Sequence, residues 1–142
     1  MKKLIILNLA LLTLVAEAQI FSEDFNSGIP ATFTLTDVDG STPATTVISS
    51  VGSFSAVTIV NEACAGSVSW FNPLGQADDW MVTPAITLPN TTNGISLKFD
   101  AIAFEAAYPD GVEIYVSTTG STPNDFTGVA LYNSTPTTAG PI

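Results

Sequence analysis

The sequence has no histidine and no arginine, and its lysines are Lys2, Lys3 and Lys98. Without an imidazole, a serine, cysteine or threonine nucleophile has no base of the usual kind, so hydrolytic triads are excluded. Zinc is disfavoured too, because its sites are built from His or several Cys. The one cysteine, Cys64, permits no internal disulfide. Its surroundings, Glu62-Ala63-Cys64-Ala65, hold no cation that would lower the thiol pKa, so a small buried hydrophobe is expected there. Basic residues number 3 against 13 acids, a formal charge of −10. Such a chain repels phosphate backbones and cannot release their counterions, which excludes nucleic acid as a partner. Anionic membrane surfaces are disfavoured on the same ground. Cations, calcium above all, are the small partners this balance favours. Charged residues make up only 11% of the chain and hydrophobic ones 46%, so the charge does not imply disorder.

A long apolar run is also missing after the first few residues. Residues 1–18 read as a secretory leader helix: Lys2 and Lys3 open it, Leu4 to Ala16 form an apolar stretch, and Ala16-Glu17-Ala18 is a small-x-small cleavage site before Gln19. The stretch is shorter than the roughly 20 apolar residues of a membrane span. Lys2, Lys3 and Glu17 lie in this leader, which leaves Lys98 against twelve acids in residues 19–142. That length suffices for one domain with its own core. The expected product is a secreted or cell-surface protein, not an integral membrane protein.

What is present is two-residue alternation. Ile95, Leu97, Phe99, Ala101 and Ala103 would share one face; Val112, Ile114 and Val116 alternate with Glu113, Tyr115 and Ser117; Phe54, Ala56, Thr58 and Val60 alternate with Ser53, Ser55, Val57 and Ile59. Shorter runs are Phe21–Phe25, Thr32–Thr36, Ser67–Phe71, Trp80–Leu88 and Val129–Tyr132. Asn26-Ser27-Gly28, Asp39-Gly40, Asn72-Pro73, Pro89-Asn90 and Pro109-Asp110-Gly111 separate them as turns. Thr, Ser and Val dominate, as a pleated, half-buried surface prefers. The expectation is an all-β domain over residues 19–132, a sandwich or jelly roll of about eight or nine short antiparallel strands. Residues 133–142, rich in Ser, Thr, Pro and Gly, read as a tail or linker.

Three segments then carry a resemblance. Phe21-Ser22-Glu23-Asp24-Phe25 leads to Gly28-Ile29-Pro30; Asp37-Val38-Asp39-Gly40 follows; and Asp78-Asp79-Trp80-Met81-Val82-Thr83-Pro84-Ala85-Ile86 is the most specific. Together with Val112-Glu113-Ile114-Tyr115-Val116-Ser117-Thr118-Thr119-Gly120, in the same order, they resemble the choice-of-anchor J or cleaved adhesin domain of exported Bacteroidetes proteins. That resemblance implies a jelly roll related to MAM and galactose-binding-like domains, with no catalytic role. Phe33 stands where the family usually has tryptophan, and Ser, Thr and Ala follow the Asp-Gly loop where it often has another. The family also continues into further paired strands past residue 142. The chain is then either truncated or closed in an unusual way, and an incomplete jelly roll leaves an unpaired edge.

Calcium takes six to eight hard oxygen ligands. Asp37-Val38-Asp39-Gly40 places two carboxylates on one side of a turn, although Gly40 falls too early and Ile48 stands where an EF-hand needs glutamate. The resemblance carries metal binding to Glu23 or Asp24 in the first strand and to Asp37 and Asp39. The same loop also reads as a plain turn, with Asp side chains bonding their own backbone. Asp78/Asp79 and Asp110/Glu113 are formally carboxylate pairs of the glycosidase kind, but such residues in acidic β domains are usually solvated or bound to calcium. Trp80 is expected in the core. Trp70, Tyr108 and Asp110 are the candidate ligand contacts, loop aromatics beside a carboxylate. The expected function is an adhesion module for an extracellular protein or glycan. The alternative is an accessory domain, carbohydrate-binding or structural, of a larger exported hydrolase.

Overall fold

The computed structural model describes residues 19–45, 52–59, 61–90, 94–104, 107–108 and 110–134. The expected leader helix and most of the expected tail lie outside the described residues. So does the final residue, Val60, of the strand read around Phe54. Among the described residues the chain is all-β, with six short strands: β1 (Thr34–Asp37), β2 (Ser55–Ile59), β3 (Glu62–Gly66), β4 (Asp79–Val82), β5 (Val112–Ile114) and β6 (Tyr132–Ser134). They pair antiparallel in three two-stranded ladders, β1 with β4, β2 with β3 and β5 with β6. Among the described residues one 3-10 turn, Pro123–Asp125, is the only helical element, and no helix there is long and apolar enough to cross a membrane.

The β2–β3 hairpin closes through a two-residue connection in which Asn61 has φ +69, a left-handed conformation that Asn tolerates better than most residues. β3 was not expected, because Glu62-Ala63-Cys64-Ala65-Gly66 has weak strand propensity; pairing with β2 overrides it. Val57, 8% exposed, packs over Gly66, where an added Cβ would lie 2.7 Å from Val57 Cγ2. A β-branched side chain has little freedom to move aside. Gly66→Ala is therefore expected to cost about 1–3 kcal/mol, read as a lower urea midpoint at unchanged slope.

Several expected strands are not formed among the described residues. Phe21–Phe25 is not a strand, because Phe25 has φ +58 and the chain turns there, Gly28 N donating to the Phe25 carbonyl at 2.9 Å. Phe33 packs 6.2 Å from Phe21 and 6.0 Å from Phe25 between ring centroids, so it fills an aromatic role at the position of the missing tryptophan. Ile95–Phe104 has no ladder partner in residues 94–104; exposed and half-buried positions alternate only from Phe99 on, and Leu97 is 63% exposed. Ser67–Phe71 makes only a single bridge, Phe71 with Pro43. The strand read as Trp80–Leu88 stops at Val82, before Pro84, whose ring removes the next ladder donor but one. The described architecture is thus three ladders rather than eight or nine strands in a closed sandwich.

Among the described residues the buried apolar ones are Val57, Val68, Phe71 and Val82, with Phe71 the one large side chain fully removed from solvent. Trp80 is half-buried. Its ring lies 5.6 Å from Tyr115 and 5.4 Å from Phe126, so it joins β4 to the segment after β5 and to the 3-10 turn. That turn is held by Asp125, whose carboxylate accepts from the Thr122 amide at 2.9 Å and its hydroxyl at 2.6 Å.

Candidate functional site

The β1–β4 register sets Asp37 directly opposite Asp79. Like charges in that position destabilise an antiparallel pair. β1 then gives way to a turn that bends back on itself: Gly40, at φ +64, donates its amide to Asp37 Oδ1 at 2.6 Å, and the Ser41 amide donates to Asp39 Oδ1 at 2.8 Å. The Val38 amide donates to the Asp78 carbonyl at 3.0 Å, and the Asp78 amide donates to Asp39 Oδ2 at 2.6 Å, so the turn is fastened to the start of β4. The bonds of the plain-turn reading are therefore present. Backbone bonds make it a turn, and the same bonds aim its carboxylates at β4.

The outcome is a triad. Carboxylate oxygens of Asp37, Asp39 and Asp79 all lie within 4.8 Å of one another. Asp79 Oδ2 accepts the Ser67 hydroxyl, while Asp79 Oδ1 is buried and has no hydrogen-bond partner among the described residues. Burial pushes the Asp79 carboxyl above the usual carboxylate range, the Ser67 bond opposes this, and the charges of Asp39, Asp37 and Asp78 add to the rise. Asp39 moves the other way, held low first by the Ser41 side chain and then by the Asp78 amide. One carboxylate is thus kept charged beside another that resists charging.

The donors suit a hard divalent cation. They are oxygens only, and oxygens of one calcium shell at 2.3–2.6 Å from the ion would stand within about 5 Å of each other. Asp37, Asp39 and Asp79 would hold it, and the ion would supply the positive charge that the ladder lacks. Glu23 and Asp24 do not join this triad. The Glu23 carboxylate accepts the Phe25 amide at 2.7 Å, and Asp24 accepts the amide and side-chain nitrogen of Asn26 at 3.0 and 2.8 Å. Asp79 was not singled out as a metal ligand from sequence, since Asp78 and Asp79 are adjacent and only the register with Asp37 selects between them.

The chain matches the Cleaved Adhesin Domain model over residues 18–142. It belongs to the cleaved adhesin domain family. Hemagglutinin A of Porphyromonas gingivalis strain W83 is 32% identical over 117 residues, which cover 80% of this chain and 5% of that protein. Lys-gingipain W83 of Porphyromonas gingivalis is 32% identical over 117 residues, 80% of this chain and 7% of that protein. A second Porphyromonas gingivalis Hemagglutinin A is 34% identical over 113 residues, covering 78% of this chain and 4% of its own. The chain therefore spans a small fraction of the relatives it matches. No solved structure matches it.

The expected ligand contacts lie on the surface of this cleaved adhesin domain. Trp70 is 60% exposed and Tyr108 79% exposed, and Asp110 is exposed as well. The Ser69 hydroxyl donates to Asp110 Oδ1 at 2.6 Å, which ties the loops of Trp70 and Tyr108 together across 41 positions of sequence. Cys64 is half-buried, its Sγ 3.8 Å from the Val57 carbonyl, and burial raises its thiol pKa. An inert thiol results.

Proposed function

We propose that this chain is a non-catalytic adhesion module of a larger exported protein, displayed outside the cell and braced by calcium at Asp37, Asp39 and Asp79. The ladders would be parts of a jelly-roll sandwich, and the leader at residues 1–18 would direct export. Membership in the cleaved adhesin family supports the adhesive role, and one relative is named for haemagglutination. The calcium reading is carried by one observation, that Asp79, whose Oδ1 is buried and unpartnered among the described residues, brings a carboxylate within 4.8 Å of two others. A buried charged oxygen left unpaired is costly, and a cation satisfies it together with the like-charged rung. The surface bearing Trp70, Tyr108 and Asp110 would meet the partner, an extracellular protein or glycan. No imidazole is available for catalysis.

The test is a binding screen of the purified protein, in millimolar calcium, against extracellular matrix proteins and a glycan array. Saturable binding to a protein or glycan, weakened by Trp70→Ala with the circular dichroism unchanged, is the expected result. Folded protein that binds nothing on either panel would remove the adhesive reading.

A further inference from the structure

The segment from Gly94 to Phe104 has the pattern of a strand and lacks a neighbour. Lys98, Asp100, Ile102 and Phe104 are exposed, while Phe99, Ala101 and Ala103 between them are half-buried. That is the two-residue period of an extended chain with one side laid against the protein. Phe99 anchors the inner side, its ring edge-on to Tyr132 of β6 with centroids 5.1 Å apart. No residue of the segment has a positive φ, and none joins a ladder or a main-chain hydrogen bond with another described residue. A row of unpaired amides and carbonyls along an extended segment is a template for another chain. Ile95, Leu97 and Phe104 are 48%, 63% and 62% exposed, which adds apolar area that pairing would cover.

Charge selects the chain that fits. Past the leader the sequence has one basic residue, Lys98, against twelve acids. Any side-chain ion pair between two copies of residues 19–142 must therefore use Lys98. Asp100 stands two positions on, exposed like Lys98, and neither has a hydrogen-bond or ion-pair partner among the described residues. When a strand pairs antiparallel with its own copy about a two-fold axis, the residue on the axis fixes the register. With Phe99 on the axis, Lys98 of each copy lies opposite Asp100 of the other, and two opposite-charge rungs flank the axis. Leu97 then meets Ala101, and Ile95 meets Ala103, apolar against apolar. With Lys98 on the axis two ammonium groups would face each other, and with Asp100 two carboxylates would; both arrangements are destabilising. A slip of one residue would turn the inner side of one copy outward. Only the register centred on Phe99 pairs both charges.

We propose that residues 94–104 form a homodimer interface, pairing antiparallel about Phe99 with the same segment of a second copy. The test is sedimentation equilibrium of the chain purified from the exported fraction, at physiological salt, which screens the mutual repulsion of two acidic surfaces. A reversible dimer is expected. Lys98→Asp and Asp100→Lys should each weaken it roughly tenfold or more, because two attractive rungs become repulsive. The double exchange, Lys98→Asp with Asp100→Lys, should recover the dimer, and so should an equimolar mixture of the two single variants. Both residues are exposed, so circular dichroism should match the parent throughout. Trypsin gives a second readout. Lys98 is its one site past the leader, so cleavage there should slow as the chain is concentrated. A dimer indifferent to both substitutions would overturn the proposal, since its interface would lie elsewhere. A chain that stays monomeric up to about 0.1 mM would overturn it too. Free cleavage at Lys98 would then mean an open edge, and resistance an edge covered by the chain itself. None of these outcomes touches the adhesion reading, which the binding screen decides.

Discussion

Phe71→Ala is expected to cost the domain about 3–5 kcal/mol, the range for truncating a buried phenylalanine. Phe71 is 1% exposed and is the one large, fully buried side chain among the described residues; the other buried apolar residues are the valines 57, 68 and 82. Few side chains share the work of excluding water here, so the cavity has little around it that can collapse inward. Domains of this size are stable by about 5–15 kcal/mol, and the loss takes a large part of that. Urea unfolding followed by tryptophan fluorescence should show the midpoint falling steeply or the cooperative transition vanishing. Phe71→Leu, which keeps most of the volume, should cost much less. A loss below about 1 kcal/mol for Phe71→Ala would mean that the ring does not anchor the core. Because Phe71 also turns Trp70 outward, the alanine variant should lose partner binding along with stability.

The second expected effect is a rise in unfolding temperature with calcium. Extracellular modules bind calcium at roughly 0.1–1 mM, and tenfold excess over the dissociation constant stabilises by about 1.4 kcal/mol. For a domain of this length that is a shift of about 3–6 °C. Asp79→Asn should abolish the shift, since it removes the buried charge that the ion would meet. In chelator the same substitution should have the opposite sign: the asparagine variant should unfold at or above the temperature of the parent, because a like charge opposite Asp37 has gone. A purely structural carboxylate would lower stability in both buffers. Differential scanning calorimetry in calcium and in chelator, on both proteins, separates the cases. A parent protein indifferent to calcium would reduce the triad to a fastened turn.

The sequence made the acidic turn legible because its information is local. Asp37, Asp39 and Gly40 lie within four positions, and turn chemistry alone predicts backbone bonds like those to Gly40 and Ser41. Asp79 was hidden, because its part depends on a pairing 42 positions away that no local pattern encodes. The same contrast runs through the fold. Val112–Ile114 was readable from alternation, and so was most of Ser55–Ile59. Glu62–Gly66 was not, since its strand is imposed by the neighbour it pairs with. Ile95–Phe104 shows the reverse: a strong strand pattern that finds no ladder partner among the described residues, because alternation states a preference and only a neighbouring strand can fulfil it. Trp70 and Tyr108 were legible as loop aromatics, and the bond from Ser69 to Asp110 that links their loops was not.

The rung between Asp37 and Asp79 has a consequence for when the protein becomes strong. Two carboxylates that face each other across a ladder weaken it until something positive arrives. On the calcium reading, the chain is at its loosest where the free ion is scarce, as inside a cell, and tightens where the ion is plentiful. The medium on the far side of the membrane would then act as a timer, leaving the polypeptide pliable enough to be exported and hardening it only at its destination.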